Sequence, residues 1–196
     1  MKKLALFDFD GTITSKDTLF EIAKFSTTPV KYYTNLLLLS PVFVGVKGGW
    51  ISAQKGKEHF LKMFFGGMDT LAFAGLCERF CDKHLPQIIR PQALKEIQKH
   101  LREKTDIYIV SASPQDWIKP WTDLLGISCI STALETDQSV ITGKILGTNC
   151  NGEEKVIRIR KILDLTGYDT IEAYGDTKGD IPMLKLANTK HFKPFT

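Results

Sequence analysis

Cysteine is sparse: there are four in 196 residues (Cys77, Cys81, Cys129 and Cys150), too few for the disulfide framework that small secreted domains rely on. A long apolar run is also missing. The most apolar stretch, Leu36 to Val46, is interrupted by Ser40 and Pro41 and falls well short of the roughly 20 residues a spanning helix needs. No integral membrane segment is therefore expected. The opening MKKLALFDFDGT passes directly into a strand-like pattern, with no apolar signal core and no small-residue cleavage site, so a cytoplasmic address is expected. There is no block of like charge, no internal repeat and no low-complexity tract. The formal charge of +4 is spread along the chain, which gives nucleic-acid binding no support but suits an anionic small substrate or an anionic membrane surface.

A 43% hydrophobic content is enough for one well-formed core with a modest insertion. Lys3 to Phe9 reads as a buried strand that runs into an acidic, glycine-containing turn, which leaves Asp8 and Asp10 at the carboxyl edge of a sheet. Asp106 to Ser111, Ile127 to Ser131 and Thr170 to Tyr174 read as further strands. Helical patterns over Gln92 to Lys104, Gln115 to Leu125, Glu153 to Leu165 and Lys178 to Leu186 alternate with them, and a polar alternating stretch from Thr132 to Asn151 suggests a hairpin. Strands alternating with amphipathic helices predict an α/β fold with a mostly parallel sheet covered on both faces, and such sheets bind ligands beyond the carboxyl ends of their strands.

The interval between the first two strands is far longer than an ordinary crossover. It reads as helices over Thr18 to Leu39, Trp50 to Phe65 and Asp69 to Lys83, punctuated by Pro29, Ser40-Pro41, Gly48-Gly49 and Gly66-Gly67. The expected organisation is a core of residues 1–14 and 91–196 and a helical cap of residues 15–90.

Two carboxylates at i and i+2 on a strand end, Asp8 and Asp10, share one side, so one can attack while the other handles protons. Taken alone, Asp-x-Asp-Gly also reads as a solvated turn. Gly175-Asp176-Thr177-Lys178-Gly179-Asp180 brings further carboxylates to a second strand edge, and oxygen ligands of this kind suit Mg²⁺. Ser111-Ala112-Ser113 ends a strand just before a helix, placing a hydroxyl and free N–H groups where a phosphate could sit. Lys155 opens another helix; a lone lysine there is most often surface decoration.

Taken in order, DFDGT, Ser111, Lys155 and GDTKGD resemble the four motifs of haloacid dehalogenase-type phosphatases, and the helical insertion resembles the cap of that superfamily's phosphoserine phosphatase branch. ITGKILG and HFKPF are similar to that branch too. The resemblance implies a Rossmann-like core in which Asp8 is the nucleophile and Asp10 the general acid and base. It implies that Gly11, Ser111, Ala112 and Lys155 bind the phosphoryl group, and that Asp8, Asp10 through its carbonyl, and Asp176 hold Mg²⁺. Asp180 would support the metal or orient Lys155. Two positions depart from the branch: Asp17 stands where a glutamate meets the substrate amine, and Gly179 replaces an asparagine. These put L-phosphoserine itself in question and leave the substrate as a small phosphorylated metabolite chosen by the cap.

Other readings compete. The apolar run from Asn35 to Val46, with Lys31, Lys47, Lys55 and Lys57 around it, fits core packing of the cap or contact with a membrane, in which case the substrate would be a lipid phosphate such as a phosphatidylglycerophosphate-like headgroup. Cys77, Cys81 and His84 share one helix face and could be metal ligands or simply buried residues. A receiver domain, phosphorylated on aspartate as a switch, or a phosphate-binding module without turnover, would use a similar set of residues.

Overall fold

The structure is a computed structural model and describes residues 1–195; Thr196, the last residue of the expected core segment, lies outside the described residues. Seven strands form in chain order: β1 (Lys3–Phe7), β2 (Asp106–Pro114), β3 (Ser128–Thr132), β4 (Leu134–Asp137), β5 (Val140–Ile145), β6 (Thr170–Gly175) and β7 (Thr189–Phe192). Five of them make one sheet in the order β3-β2-β1-β6-β7, with every pairing parallel. From β1 the chain steps outward through β2 and β3 on one side, then returns to place β6 and β7 on the other. That reversal creates a crevice at the carboxyl end of β1, where doubly wound sheets bind their ligands.

Side chains alternate along β1. Ala5 and Phe7 join one buried cluster, whereas Leu4 and Leu6 join a second on the opposite face with Ile159, Met183 and Leu184. Helices α1 (Thr18–Phe25), α2 (Pro29–Lys47), α3 (Ala53–Phe65), α4 (Thr70–Lys83) and α5 (Leu85–Ile88) fill the interval between β1 and β2. They add Phe60, Phe65, Phe73 and Phe80 to the first cluster. The rest of the chain supplies α6 (Pro91–Arg102), α7 (Gln115–Leu125), α8 (Glu153–Ile162) and α9 (Ile181–Leu184).

Several elements differ from expectation for identifiable reasons. The segment read as one helix over Thr18 to Leu39 is two, because Thr28 caps a new helix whose first residue is Pro29. Ser40-Pro41, read as a break, lies inside α2, which continues to Lys47. Pro41 cannot donate to the carbonyl of Leu37, but Leu37 is 73% exposed, so water can take that bond. Lys178 to Leu186 is not a single helix: a 3₁₀ turn over Lys178–Asp180 precedes the short α9. Thr189–Phe192, read as no element, is the edge strand β7.

The β4–β5 hairpin packs on the helices rather than lying free. Gly67 N donates to Ile141 O at 2.8 Å and Ile141 N to Met68 O at 2.8 Å. Gly143, at φ +84, lets the backbone of Lys62 approach so closely that an added Cβ would sit 2.4 Å from its Cα. The hairpin turn itself puts Gln138 and Ser139 at positive φ, the twist that two-residue hairpin loops require.

Candidate active site

Phe7 is fully buried and stacks on Tyr174, with ring centroids 4.1 Å apart, so the end of β1 is anchored against β6. Asp8 N continues the ladder by donating to Tyr174 O at 2.9 Å. The chain then turns sharply, with Ile13 N and Thr14 N both donating to Phe9 O. Gly11 makes this possible at φ +82, and a Cβ there would lie 2.4 Å from Asp176 Oδ2. Only glycine leaves the Asp8 loop and the loop after β6 open to each other.

Lys155 is the centre of the charge arrangement. Its side chain is 1% exposed, and Nζ donates to Asp8 Oδ1 at 2.6 Å, Asp180 Oδ1 at 2.7 Å and Val110 O at 2.7 Å. All three ammonium protons are used. A surface lysine this is not. Desolvation acts against the Lys155 charge, yet the carboxylates of Asp8 and Asp180 outweigh it and raise its pKa. Desolvation pushes Asp8 up to about 7, only partly countered by Lys155 and reinforced by Asp180. Asp180 is desolvated too, but Lys155 and Thr177 hold it below the usual carboxylate range.

Asp10 turns the other way. Its Oδ1 accepts from Thr18 N at 2.7 Å and Thr18 Oγ1 at 2.6 Å, and Trp117 Nε1 in turn donates to Thr18 Oγ1 at 3.0 Å. Ser111 Oγ lies 3.4 Å from Asp10 Oδ2, donating toward it, and accepts from Ser113 N at 3.0 Å. The Ala112 carbonyl accepts from Lys57 Nζ at 2.6 Å. Asp8, Lys155 and Asp180 thus form one hydrogen-bonded group across β1, α8 and the loop after β6, Asp10 and Ser111 form a second with Thr18, and Ala112 is held separately by Lys57.

Asp8, Asp176 and Asp180 each bring a carboxylate oxygen within 4.8 Å of the others. Asp176 Oδ1 accepts from Thr12 Oγ1 at 3.1 Å, and Asp180 Oδ2 accepts from Thr177 N at 2.9 Å and Asp176 N at 3.2 Å. Neither Asp8 Oδ2 nor Asp176 Oδ2 takes a hydrogen bond from the described residues. Two free anionic oxygens beside a backbone held open by Gly11 form an oxygen donor set of the kind a hard divalent cation takes. The Asp10 carboxylate is not in this group, being committed to Thr18; its part in the expected metal set was its carbonyl.

A family model for haloacid dehalogenase-like hydrolases matches residues 5–185. The chain belongs to this family. Protein CicA of Caulobacter vibrioides is 31% identical, covering 98% of this chain and 86% of that protein. A histidinol-phosphatase of Neisseria meningitidis serogroup C is 25% identical over 96% of this chain and 88% of its own length. Among solved structures, a substrate-bound phosphoserine phosphatase superposes with a TM-score of 0.70 at 19% identity, covering 97% of this chain and 85% of that one. The chain is thus a haloacid dehalogenase-like hydrolase, and proteins named as phosphatases stand among both its relatives and its structural neighbours.

The departures from the phosphoserine phosphatase branch have visible consequences. A Cβ on Gly179 would lie 2.1 Å from Asn151 Oδ1, so Asn151 fills the space a side chain at position 179 would need. Asp17 caps α1 by accepting from Leu19 N at 2.9 Å and lines a cavity of about 620 Å³ that opens onto Asp8 and Asp176. Crowding by protein, followed by the charge of Asp10, raises Asp17 to about 6. Lys57 reaches into the same cavity from α3, bonded to Asn149 Oδ1 at 3.2 Å as well as to Ala112. Desolvation lowers Lys57 to about 8 although Asp10 and Asp17 lie near. Phe20, Phe43 and Phe60 supply the apolar wall.

Thr18, Lys57, Asn149 and Asn151 were not singled out as site residues from the sequence. Thr18 and Lys57 come from the long helical interval and meet residues 90 or more positions away; no local pattern announces such contacts. Cys77, Cys81 and His84 do not form a metal site. Both thiols are buried, which raises their pKa values, Cys81 to about 11. His84 Nε2 instead meets Glu21 Oε2 at 2.6 Å.

Proposed function

We propose that this hydrolase is a phosphatase and works by transferring the phosphoryl group of a small phosphomonoester to Asp8 and then releasing it to water. The observation that carries the reading is the state of Asp8: one oxygen is held at 2.6 Å by a buried ammonium, while the other faces the cavity without a protein donor. A carboxylate so placed is aimed and partly neutralised, which a nucleophile attacking an anionic phosphate needs.

Lys155 holds Asp8 in its orientation and offers positive charge to the phosphoryl oxygens. Ser111, fully buried and donating toward Asp10 Oδ2, would turn its hydroxyl from that carboxylate to the same group when substrate binds. Asp10, two residues beyond the nucleophile and fixed by Thr18, protonates the leaving alcohol and later takes the proton of the attacking water. Asp8, Asp176 and the Asp10 carbonyl are the groups that would hold Mg²⁺, with Asp180 fixing Lys155 beside them. When bound, the cation supplies charge that lowers the repulsion between the nucleophile and its anionic substrate. Gly11 keeps the space for it open.

The cavity combines Asp17 and Lys57 with three phenylalanines, so the ester would present a polar group and an apolar body to the helical insertion. The names of the relatives supply two esters to try first, histidinol phosphate and phosphoserine. A lipid phosphate is the second reading, favoured by the apolar side chains of α2 on the cavity wall, Phe43 and Val46. A phosphate-release assay over soluble phosphomonoesters and a lipid phosphomonoester in mixed micelles, with Mg²⁺ and with chelator, tests the proposal. Chelator-sensitive turnover of a soluble ester is expected; turnover of the lipid alone would favour the second reading, and turnover indifferent to chelator would overturn the metal assignment.

A further inference from the structure

Helix α2 is apolar on both its inner and its outer side, a pattern that belongs to helices covered on both by protein or lipid, yet its outer side is uncovered. Its inner side packs Tyr32 and Leu39 into the core and lines the cavity with Phe43 and Val46. Its outer side carries Val30, Tyr33, Leu37, Pro41 and Val44, all exposed, and at 100° per residue these five fall within an arc of roughly 80°. Leu38 widens the stripe on one edge. Trp50, 84% exposed, extends it past the end of the helix, its ring lying near Gly48. Single exposed apolar residues are ordinary; a continuous row along a helix about 28 Å long is a contact surface.

Charge identifies the occupant. Residues 22–57 contain no aspartate or glutamate but five lysines, of which Lys24, Lys31, Lys47 and Lys55 are exposed while Lys57 is turned into the cavity. Lys31 and Lys47 project on opposite flanks of the stripe, where their stems can lie along an apolar surface with the ammonium groups reaching outward. A second copy of the chain would bring lysines against the same lysines. An anionic bilayer meets both requirements, taking the apolar row into the acyl boundary and pairing the lysines with headgroups. A tryptophan at the rim suits the interfacial zone.

We propose that the outer face of α2, with Trp50, is a docking surface for an anionic lipid bilayer. Among the described residues no helix is long and apolar enough to cross a membrane, so the attachment is peripheral. It places the cavity, whose wall includes the inner side of the same helix, next to the membrane. The inference does not depend on the catalytic assignment, because docking uses the opposite side of α2.

The experiment is flotation with phosphatidylglycerol-containing vesicles and with pure phosphatidylcholine vesicles, read together with tryptophan emission. Trp117 and Trp121 are already buried, so a blue shift on mixing reports Trp50. Wild-type protein should float with the anionic vesicles, shift its emission, and do neither with neutral vesicles or in high salt. A Leu37→Gln/Leu38→Gln variant should lose at least about tenfold in vesicle affinity while hydrolysing a soluble ester at the wild-type rate, which shows that it has folded. Asp8→Asn should float like wild type whatever its activity. No flotation with anionic vesicles, or equal flotation of the Leu37/Leu38 variant, would overturn the proposal. So would a blue shift that follows protein concentration without vesicles, which would make a second copy the occupant.

Discussion

The loop edge of the sheet and the outer face of α2 break the usual rules in opposite directions. At the sheet edge, charges are buried: Lys155, Asp8 and Asp180 have side chains 1%, 8% and 2% exposed. On α2, large apolar side chains are exposed. The first arrangement holds because each buried charge has a partner at hydrogen-bond distance, so desolvation is offset locally. The second has no partner within the described residues, and so points outward to something the chain meets. A fold can carry an internal exception by completing its own network, while an external one is a statement about surroundings.

Breaking the internal network should have the largest effect on stability. Lys155→Met leaves two carboxylates buried beside each other without their cation, and chemical denaturation in chelator should show a loss of about 3–5 kcal/mol. Adding Asp180→Asn to that variant should recover part of it. If Lys155→Met unfolds at the wild-type denaturant concentration, the three groups are not the coupled unit described.

On α2 the two sides should part company. Leu39→Ala on the buried side should cost about 2–5 kcal/mol through the cavity it leaves, whereas Leu37→Ala, two residues away and 73% exposed, should stay within about 0.5 kcal/mol. Equal losses would mean that the outer side is covered by the protein itself.

A smaller effect is expected where Asn151 stands against Gly179. Asn151 is itself exposed and meets position 179 with the end of its side chain, which can swing aside. Gly179→Asn should therefore cost no more than about 0.5 kcal/mol, and Asn151→Gly in the same chain should relieve that cost. Losses that simply add would show that the two positions do not share one space.

Much of this was legible in the sequence. Short apolar runs ending in Asp, Ser or Gly marked the sheet strands that meet at the candidate site, and the acidic motifs marked the strand ends whose carboxylates gather there. The peripheral strand β7 was not legible, because Thr189–Phe192 is largely exposed and has no apolar alternation. The continuation of α2 through Pro41 depended on exposure of the Leu37 carbonyl's surroundings, which a local proline rule does not contain. Lys57 and Asn151 meet residues far along the chain, and Thr18, only eight residues from Asp10, stands in no recognisable motif, so spacing carries no trace of them. The departure at Gly179 was readable as a difference; that Asn151 fills the gap was not.

The central claim is that Asp8 carries the phosphoryl group between substrate and water. Rapid acid quench of the enzyme during turnover of whichever ester it hydrolyses with Mg²⁺, followed by peptide mass analysis, tests it directly. Phosphate should be found on the peptide containing Asp8, and Asp8→Asn should lose both the modified peptide and turnover by more than about 1,000-fold while remaining folded. Steady turnover in Asp8→Asn, or a modified peptide elsewhere in the chain, would contradict the account.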